Sequence, residues 1–356
     1  MDKRDNIKPI IIAGPCSAES REQTINTALA LAKMGKIDIF RAGVWKPRTK
    51  PGSFAGVGTK GLAWMCEARN ITSLPIMTEV ATSRHVEEAL DHDIDALWIG
   101  ARTTSNPFSM QEIAESLRGC NKPIFVKNPI NTDIELWSGA IERLMACGIT
   151  DITLIHRGFS SYGAWVLRNA PMWHIALEMK RRMPELPMIC DPSHICGRRE
   201  FLAEISQQAS DLGYDGLMIE SHISPDKAKS DAEQQITPAE LEQLLEGIKW
   251  RSSESQSIAY QNELEALRGR IDQLDGEIFR LLADRMNAAE QIGRIKRDNN
   301  VMILQSSRWN SVVKRVLDHS ESLGLSREFL RTLLDAIHIE SIERQNRVMK
   351  EQDIQH

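Results

Sequence analysis

The chain divides by its pattern of apolar positions. From the N-terminus to about residue 250, short apolar runs alternate with segments of helical period. The runs are IIIAG (10–14), IDIFRAG (37–43), PIMTEV (75–80), ALWIGA (96–101), PIFVKN (123–128), DITLIHRG (151–158), PMICDPSH (187–194) and GLMIES (216–221). Each reads as a strand buried on both faces, and each is followed by an amphipathic pattern such as SREQTINTALALAKM (20–34). Eight such units in about 250 residues predict an α/β fold, a (β/α)8 TIM barrel, in preference to a doubly wound open sheet.

The period then changes. RSSESQS (251–257) is small and polar, and residues 251–258 read as a linker. Beyond it Leu264, Leu267, Ile271, Leu274, Ile278, Leu281, Ala289, Ile292 and Ile295 recur at spacings of three and four with one gap, and no proline interrupts residues 260–298. This predicts one helix about 55 Å long at 1.5 Å per residue, with two shorter helices near 306–319 and 326–350. A helix that long needs partners along its length. The expectation is an all-α three-helix domain, residues 259–356, that dimerises.

Polar residues collect where the predicted strands end, the face on which barrels build their sites. Strand one ends in Cys16 and Ser17, strand two in Arg41 and the loop WKPRTKPGSF with Lys46, Arg48 and Thr49, and strand three in Glu79. Strands four to eight bring Arg102, Lys127, His156 with Arg157, Asp191 with His194, and Glu220 with His222. Any one of these is more often a capped or salt-bridged structural residue. Eight strand ends alike point to a site. Arg41, Lys46, Arg48, Arg102, Lys127 and Arg157 are six cations on one rim, which calls for a ligand carrying several negative charges. Cys16, His194, Glu220 and Asp231 mix thiol, imidazole and carboxylate, the donor set of a divalent transition metal such as Mn, Fe, Co or Zn.

Composition narrows the classes. The net charge is -5 and the pI about 6.0, so no basic surface suggests nucleic acid. No apolar run approaches the ~18 residues of a membrane span, and MDKRDN leads directly into strand one with no signal peptide. The six cysteines form no CxxC pair, which fits a reducing, cytoplasmic setting. GVGTKG (56–61) matches G-x-G-x-x-G but follows a loop, not a strand, and reads as chance.

The motifs GPCSAES, FRAGVWKPRTKPGSF, GART, FVKNP, HRGFSS, CDPSH, MIESH and KSDAEQ, in that order over roughly residues 8–249, resemble the 3-deoxy-D-arabino-heptulosonate 7-phosphate (DAHP) synthases, in their compact microbial form. The resemblance implies condensation of phosphoenolpyruvate with erythrose 4-phosphate at a divalent metal. It places Cys16, His194, Glu220 and Asp231 as metal ligands, and Arg41, Lys46, Arg102, Lys127 and Arg157 on phosphoenolpyruvate. Arg48 and Thr49 would hold erythrose 4-phosphate. Lys46 and His194 are candidate catalytic groups, with Asp191, Glu79 and Glu220 as other proton carriers. The sister enzymes that use arabinose 5-phosphate lack the KPRT loop, so KPRTKPG favours the four-carbon aldose phosphate.

Residues 262–349 resemble the all-α chorismate mutases, most closely in ALRGRIDQLDGEIFRLLADRMNAAEQIGRIK. The implied ligand residues are Arg268 from a partner chain, Arg285, Lys296, Arg308, Ser341 and Gln345. Of these Arg285, Lys296 and Gln345 would stabilise the rearrangement of chorismate to prephenate. Arg285 and Lys296 lie about 16 Å apart along one helix, whereas Arg268 is about 25 Å from Arg285 and must come from a second copy. Gln305 stands where an acid is usual and Trp309 where many members have Glu. A bifunctional, homodimeric enzyme is therefore expected, with the helical part alternatively a chorismate or prephenate sensor or a plain dimerisation arm.

Overall fold

The structure, a computed structural model, describes residues 8–46, 52–161, 166–252, 254 and 257–350. The chain forms two compact units, residues 1–254 and 255–356.

In the first unit eight parallel strands close into a barrel in sequence order: β1 (Ile10–Gly14), β2 (Ile39–Arg41), β3 (Ile76–Val80), β4 (Ala96–Ile99), β5 (Ile124–Lys127), β6 (Ile152–His156), β7 (Met188–Cys190) and β8 (Gly216–Glu220). β1 pairs with β8 to close it, Gly14 opposite Glu220. Helices α1 (Arg21–Lys33), α2 (Thr59–Thr72), α3 (Ser83–Asp91), α4 (Ala101–Thr104), α5 (Pro107–Ser116), α6 (Ile134–Ala146), α7 (Trp173–Arg182), α8 (Pro192–Cys196), α9 (Leu202–Asp211) and α10 (Pro238–Gly247) lie between and after the strands. β4 and β7 are shorter than their apolar runs because a helix starts almost at once. Asp191 caps α8 by accepting the His194 amide at 3.0 Å, and Pro192 takes the first helical position, where its missing N–H costs nothing.

Alternation along the strands makes two cores. Ile12, Met77, Trp98, Phe125, Ile155, Ile189 and Met218 fill the barrel's interior, and their outward neighbours, such as Ile11, Leu97, Leu154 and Leu217, pack under the helices. No helix among the described residues is long and apolar enough to cross a membrane.

The second unit is all helical: α11 (Ile258–Asp298), α12 (Ser306–Asp318), the short α13 (Ser320–Leu323) and α14 (Arg327–Lys350). Gly324, in the left-handed region, ends α13. Only the later part of α11, at Met286, Ala289 and Gly293, is buried, against α14. Earlier in α11, Leu267, Ile271, Leu274, Ile278 and Leu281 lie on one stripe, each about half exposed.

Candidate active sites

The period of two that fills the barrel also builds its site. Two residues beyond the interior apolar layer, still facing inward, come Arg41, Glu79, Lys127, Arg157, Asp191 and Glu220. On β1 and β4 the same step reaches Gly14 and Gly100. A Cβ at Gly14 would lie 1.9 Å from the Arg41 carbonyl oxygen, and one at Gly100 would lie 2.1 Å from Glu79 Oε1. The layer therefore holds six charged side chains and two glycines that leave room for them.

These charges are paired. Arg41 Nη1 donates to Glu220 Oε1 at 3.1 Å, and the Arg41 guanidinium lies 4.5 Å from the Trp98 ring centroid. Lys127 Nζ donates to Asp191 Oδ2 at 2.7 Å. Lys46 Nζ stands 3.9 Å from Glu79 Oε2. Arg157 Nη1 donates to Asn169 Oδ1 at 2.9 Å. The rim is thus less one-sided than six cations imply, because buried carboxylates face three of them. Burial opposes ionisation of Asp191, but His194 and Lys127 outweigh it and hold its pKa well below the usual range. Burial lowers the Arg157 pKa to about 10, with Arg168 and Arg102 adding repulsion against Asp191. Burial also disfavours the charge on Lys46, yet Cys16, Glu79 and Glu220 raise its pKa.

Beside this layer Cys16, Glu220 and Asp231 bring one donor atom each within 4.8 Å of one another. Cys16 Sγ is 3.3 Å from Asp231 Oδ2. Donors of a metal with bonds near 2.0–2.3 Å stand about 3–4 Å apart, so this set fits a metal in spacing and chemistry. His194 Nε2 lies 3.9 Å from Glu220 Oε1 but outside that tight group. Its Nδ1 is 2.8 Å from Asp191 Oδ2, off the line of a hydrogen bond. Burial, then the fields of Glu220 and Asp231, push the Cys16 thiol up to about 12. Asp231 stays ionised: burial disfavours it, but His194, Arg168 and Lys46 hold its pKa down.

Two glutamines clamp the cluster. Gln234 Nε2 donates to Glu220 Oε2 at 2.7 Å while its Oε1 accepts from Arg168 Nη1 at 2.6 Å. Gln235 Oε1 accepts the Cys16 amide at 2.9 Å. Arg168 also donates to Asp231 Oδ1 at 3.2 Å. Arg168, Gln234 and Gln235 escaped the sequence reading; the only signal was the Gln234–Gln235 pair three residues after Asp231. A cavity of about 270 Å³ at this mouth is lined by Arg41, Lys46, Arg102, Lys127, Arg157 and His194, with Glu79 and Asp231. Arg48 and Thr49 lie outside the described residues.

His156 departs from the strand-end pattern. Its parity on β6 turns it outward, where its Nδ1 lies 2.9 Å from Tyr214 Oη and its Nε2 2.7 Å from the Pro171 carbonyl, among Phe159 and Trp173. His222 lies past β8 with Nδ1 accepting the Ser224 amide. Neither is among the residues that line the mouth.

In the helical unit Arg285 Nη1 donates to Ser341 Oγ at 2.6 Å, and Ser341 donates on to the Ile337 carbonyl at 2.7 Å. Gln345, one turn further, is buried with Oε1 unpartnered, and Gly293 passes so close that a Cβ there would meet Gln345 at 3.1 Å. Lys296 Nζ donates to the Ile303 carbonyl at 2.5 Å. Arg308 and Arg268 are exposed. Trp309 stacks on His338, with centroids 3.8 Å apart and planes 7° from parallel.

A closed parallel barrel with a charged, thiol-containing mouth, joined to a helical unit with an Arg–Ser–Gln face, defines a two-part enzyme. The chain belongs to the DAHP synthetase I family, whose profile matches residues 3–256. Residues 267–346 match chorismate mutase type II. A phospho-2-dehydro-3-deoxyheptonate aldolase of Thermotoga maritima is 33% identical over 239 residues, 67% of this chain and 68% of that protein. A 2-dehydro-3-deoxyphosphooctonate aldolase of Desulfotalea psychrophila is 29% identical over 258 residues, 66% and 87% of the two chains. The crystal structure of the Thermotoga maritima DAHP synthase superposes with a TM-score of 0.61 at 30% identity, over 70% of this chain and 72% of that one. Both families, a transferase and an isomerase, serve the shikimate pathway.

Proposed function

We propose that the barrel condenses phosphoenolpyruvate with erythrose 4-phosphate and that the helical unit converts chorismate to prephenate. The observation that carries the first half is the inward layer of Arg41, Lys127 and Arg157 beside the Cys16, Glu220 and Asp231 cluster. Arg41, Lys46, Arg102, Lys127 and Arg157 would hold phosphoenolpyruvate, and Arg48 and Thr49 the aldose phosphate, so that cations offset repulsion between two anions and fix their approach. Cys16, His194, Glu220 and Asp231 would hold a divalent transition metal, Mn, Fe, Co or Zn, which when bound supplies Lewis-acid polarisation of the aldehyde. Carbon 3 of the enol then attacks the aldehyde, water adds at carbon 2, and phosphate leaves. Lys46 would face the reacting oxygen, and Glu79 and Asp191, which hold no metal in this reading, are candidate proton carriers beside His194 and Glu220.

In the helical unit Arg285, Ser341 and Gln345 share one face, and the unpartnered Gln345 oxygen marks an unfilled hydrogen-bonding position. Arg285 and Arg308 would clamp carboxylates, with Lys296 and Gln345 at the ether oxygen. The exposed stripe of α11 from Leu267 to Leu281 supports a homodimer in which Arg268 reaches the partner's site. The Trp309–His338 stack, in place of an acid, favours a second reading, in which this unit mainly senses chorismate or prephenate. A reducing cytoplasm suits the free thiols, six among the described residues.

The test is to assay the purified full chain for aldehyde-dependent phosphate release from phosphoenolpyruvate and for chorismate loss. Absence of the first activity with any of the four metals sinks the barrel reading. Tight chorismate binding without turnover leaves the sensor reading.

A further inference from the structure

Lys46 reaches its place through backbone that is pinned on both sides of Trp45. The Gly43 amide donates to the Cys16 carbonyl at 3.2 Å, the buried Val44 accepts the Gly58 amide at 2.9 Å, and the Lys46 amide donates to Ala55 at 2.9 Å. Gly56, at φ +94°, runs so close to Val44 that a Cβ there would lie 2.1 Å from its carbonyl oxygen. Trp45 itself stacks on His85, with centroids 4.2 Å apart and planes within 6°.

His85 lies in the first turn of α3, outside this loop. Its amide donates to the N-cap Thr82 Oγ1 at 3.2 Å, and its Nδ1 accepts the Ala81 amide at 3.3 Å, so the cap orients the ring. Among the described residues no hydrogen bond fixes the ammonium of Lys46, which lies in the fields of Cys16, Glu79 and Glu220. Among the described residues its nearest carboxylate oxygen is Glu79 Oε2 at 3.9 Å, too long for a hydrogen bond. The position of Nζ therefore depends on the backbone beneath it as well as on these charges.

We propose that His85 is a positioning residue for Lys46: its stack on Trp45 ties the loop after β2 to the helix after β3, the strand that carries Glu79, and so sets the amine against the reacting aldehyde. The proposal rests on the reading of Lys46 as the group that meets that aldehyde. An uncharged planar ring is all that the stack requires.

The test compares His85→Ala and His85→Phe in the full, metal-loaded chain, with Lys46→Ala alongside. His85→Ala should lower the kcat of condensation by about tenfold and raise the KM for the aldose phosphate, since small misplacement of a reacting group is costly. His85→Phe should restore both to within about threefold. Bound metal and the unfolding midpoint should stay at the wild-type level in both. With 5-fluorotryptophan incorporated, the ¹⁹F resonance of Trp45, assigned through Trp45→Phe, should move in His85→Ala. Should His85→Ala fail to fold, Trp45→Leu removes the same contact and Trp45→Phe retains it. Wild-type kcat in a folded His85→Ala chain overturns the proposal, as does a His85→Phe chain no better than His85→Ala. If Lys46→Ala itself condenses normally, the reading of Lys46 falls and the clamp falls with it. If Lys46→Ala is inactive and His85→Ala is normal, only the clamp falls.

Discussion

Arg41 and Glu220 meet at 3.1 Å with both side chains wholly buried. Burial alone would raise the Glu220 pKa, but the fields of His194 and Arg41 more than offset it, so the carboxylate stays charged. Removing one partner of such a pair leaves an uncompensated buried charge, at a cost of about 3–5 kcal/mol. Arg41→Ala should therefore destabilise the barrel by about that much and abolish condensation. Urea unfolding checks it, and a loss under about 1 kcal/mol would mean that water or rearrangement solvates Glu220.

Metal removal separates the two units. A chelator should stop condensation and leave chorismate turnover unchanged, because the group spaced for a metal among the described residues, Cys16, Glu220 and Asp231, lies in the barrel. Cys16→Ala should cut bound metal, measured by elemental analysis, by at least about tenfold, since a lost ligand loses most of a site's affinity. Full condensation by metal-stripped protein would refute the ligand set.

The barrel was legible because every strand sits in a short, mostly apolar run and a helical period comes before the next run. The inward layer was half legible. Ile39 to Arg41, Phe125 to Lys127 and Met218 to Glu220 are each a two-residue step from interior apolar to charged, and parity alone assigns them inward. The same parity turns His156 outward, a distinction that listing polar strand ends overlooks. The pairing of Arg41 with Glu220 and Lys127 with Asp191 was not legible, because it links strands 179 and 64 residues apart. Gln234 and Gln235 were missed for a related reason: their role depends on a return of the chain under Cys16.

His156 supplies a pH dependence. Burial, with Arg157 adding repulsion, lowers its pKa to about 4 from an ordinary 6.5. The unfolded chain binds this proton below about pH 6.5 and the folded chain does not, so its contribution is complete above pH 6.5 and is lost as pH falls toward 4. At 1.36 kcal/mol per unit the full loss is roughly 3 kcal/mol. His156→Gln should flatten the dependence of stability on pH between 6.5 and 4. An imidazole titrating near 6.5 in the native chain, by NMR, would remove the basis for this.

Arg285 donates to Ser341 and faces no carboxylate within ion-pair distance among the described residues. Burial lowers its pKa somewhat, a penalty that a bound carboxylate would offset. Arg285→Ala should lower chorismate turnover by about 10²-fold or more, the usual loss of one preorganised donor worth roughly 3–4 kcal/mol, with condensation by unliganded protein nearly unchanged. An unaltered mutase rate would show that the Arg285 face is not the catalytic one.

One chain that joins two shikimate-pathway families has the elements of feedback. A ligand bound to the helical unit can shift the barrel only if it binds two states of the chain unequally, and an ordinary coupling of about 1–3 kcal/mol gives a 5- to 150-fold change in affinity. We expect prephenate or chorismate to inhibit condensation through Arg285, Lys296 and Arg308. Linkage is reciprocal, so saturating phosphoenolpyruvate should weaken prephenate binding by the same factor. The measurement is condensation rate against prephenate concentration in the wild type and in Arg285→Ala. Inhibition should fade in the variant while its uninhibited rate stays normal. Equal inhibition of both would place the effector on the barrel, and no inhibition of either would leave the two activities uncoupled.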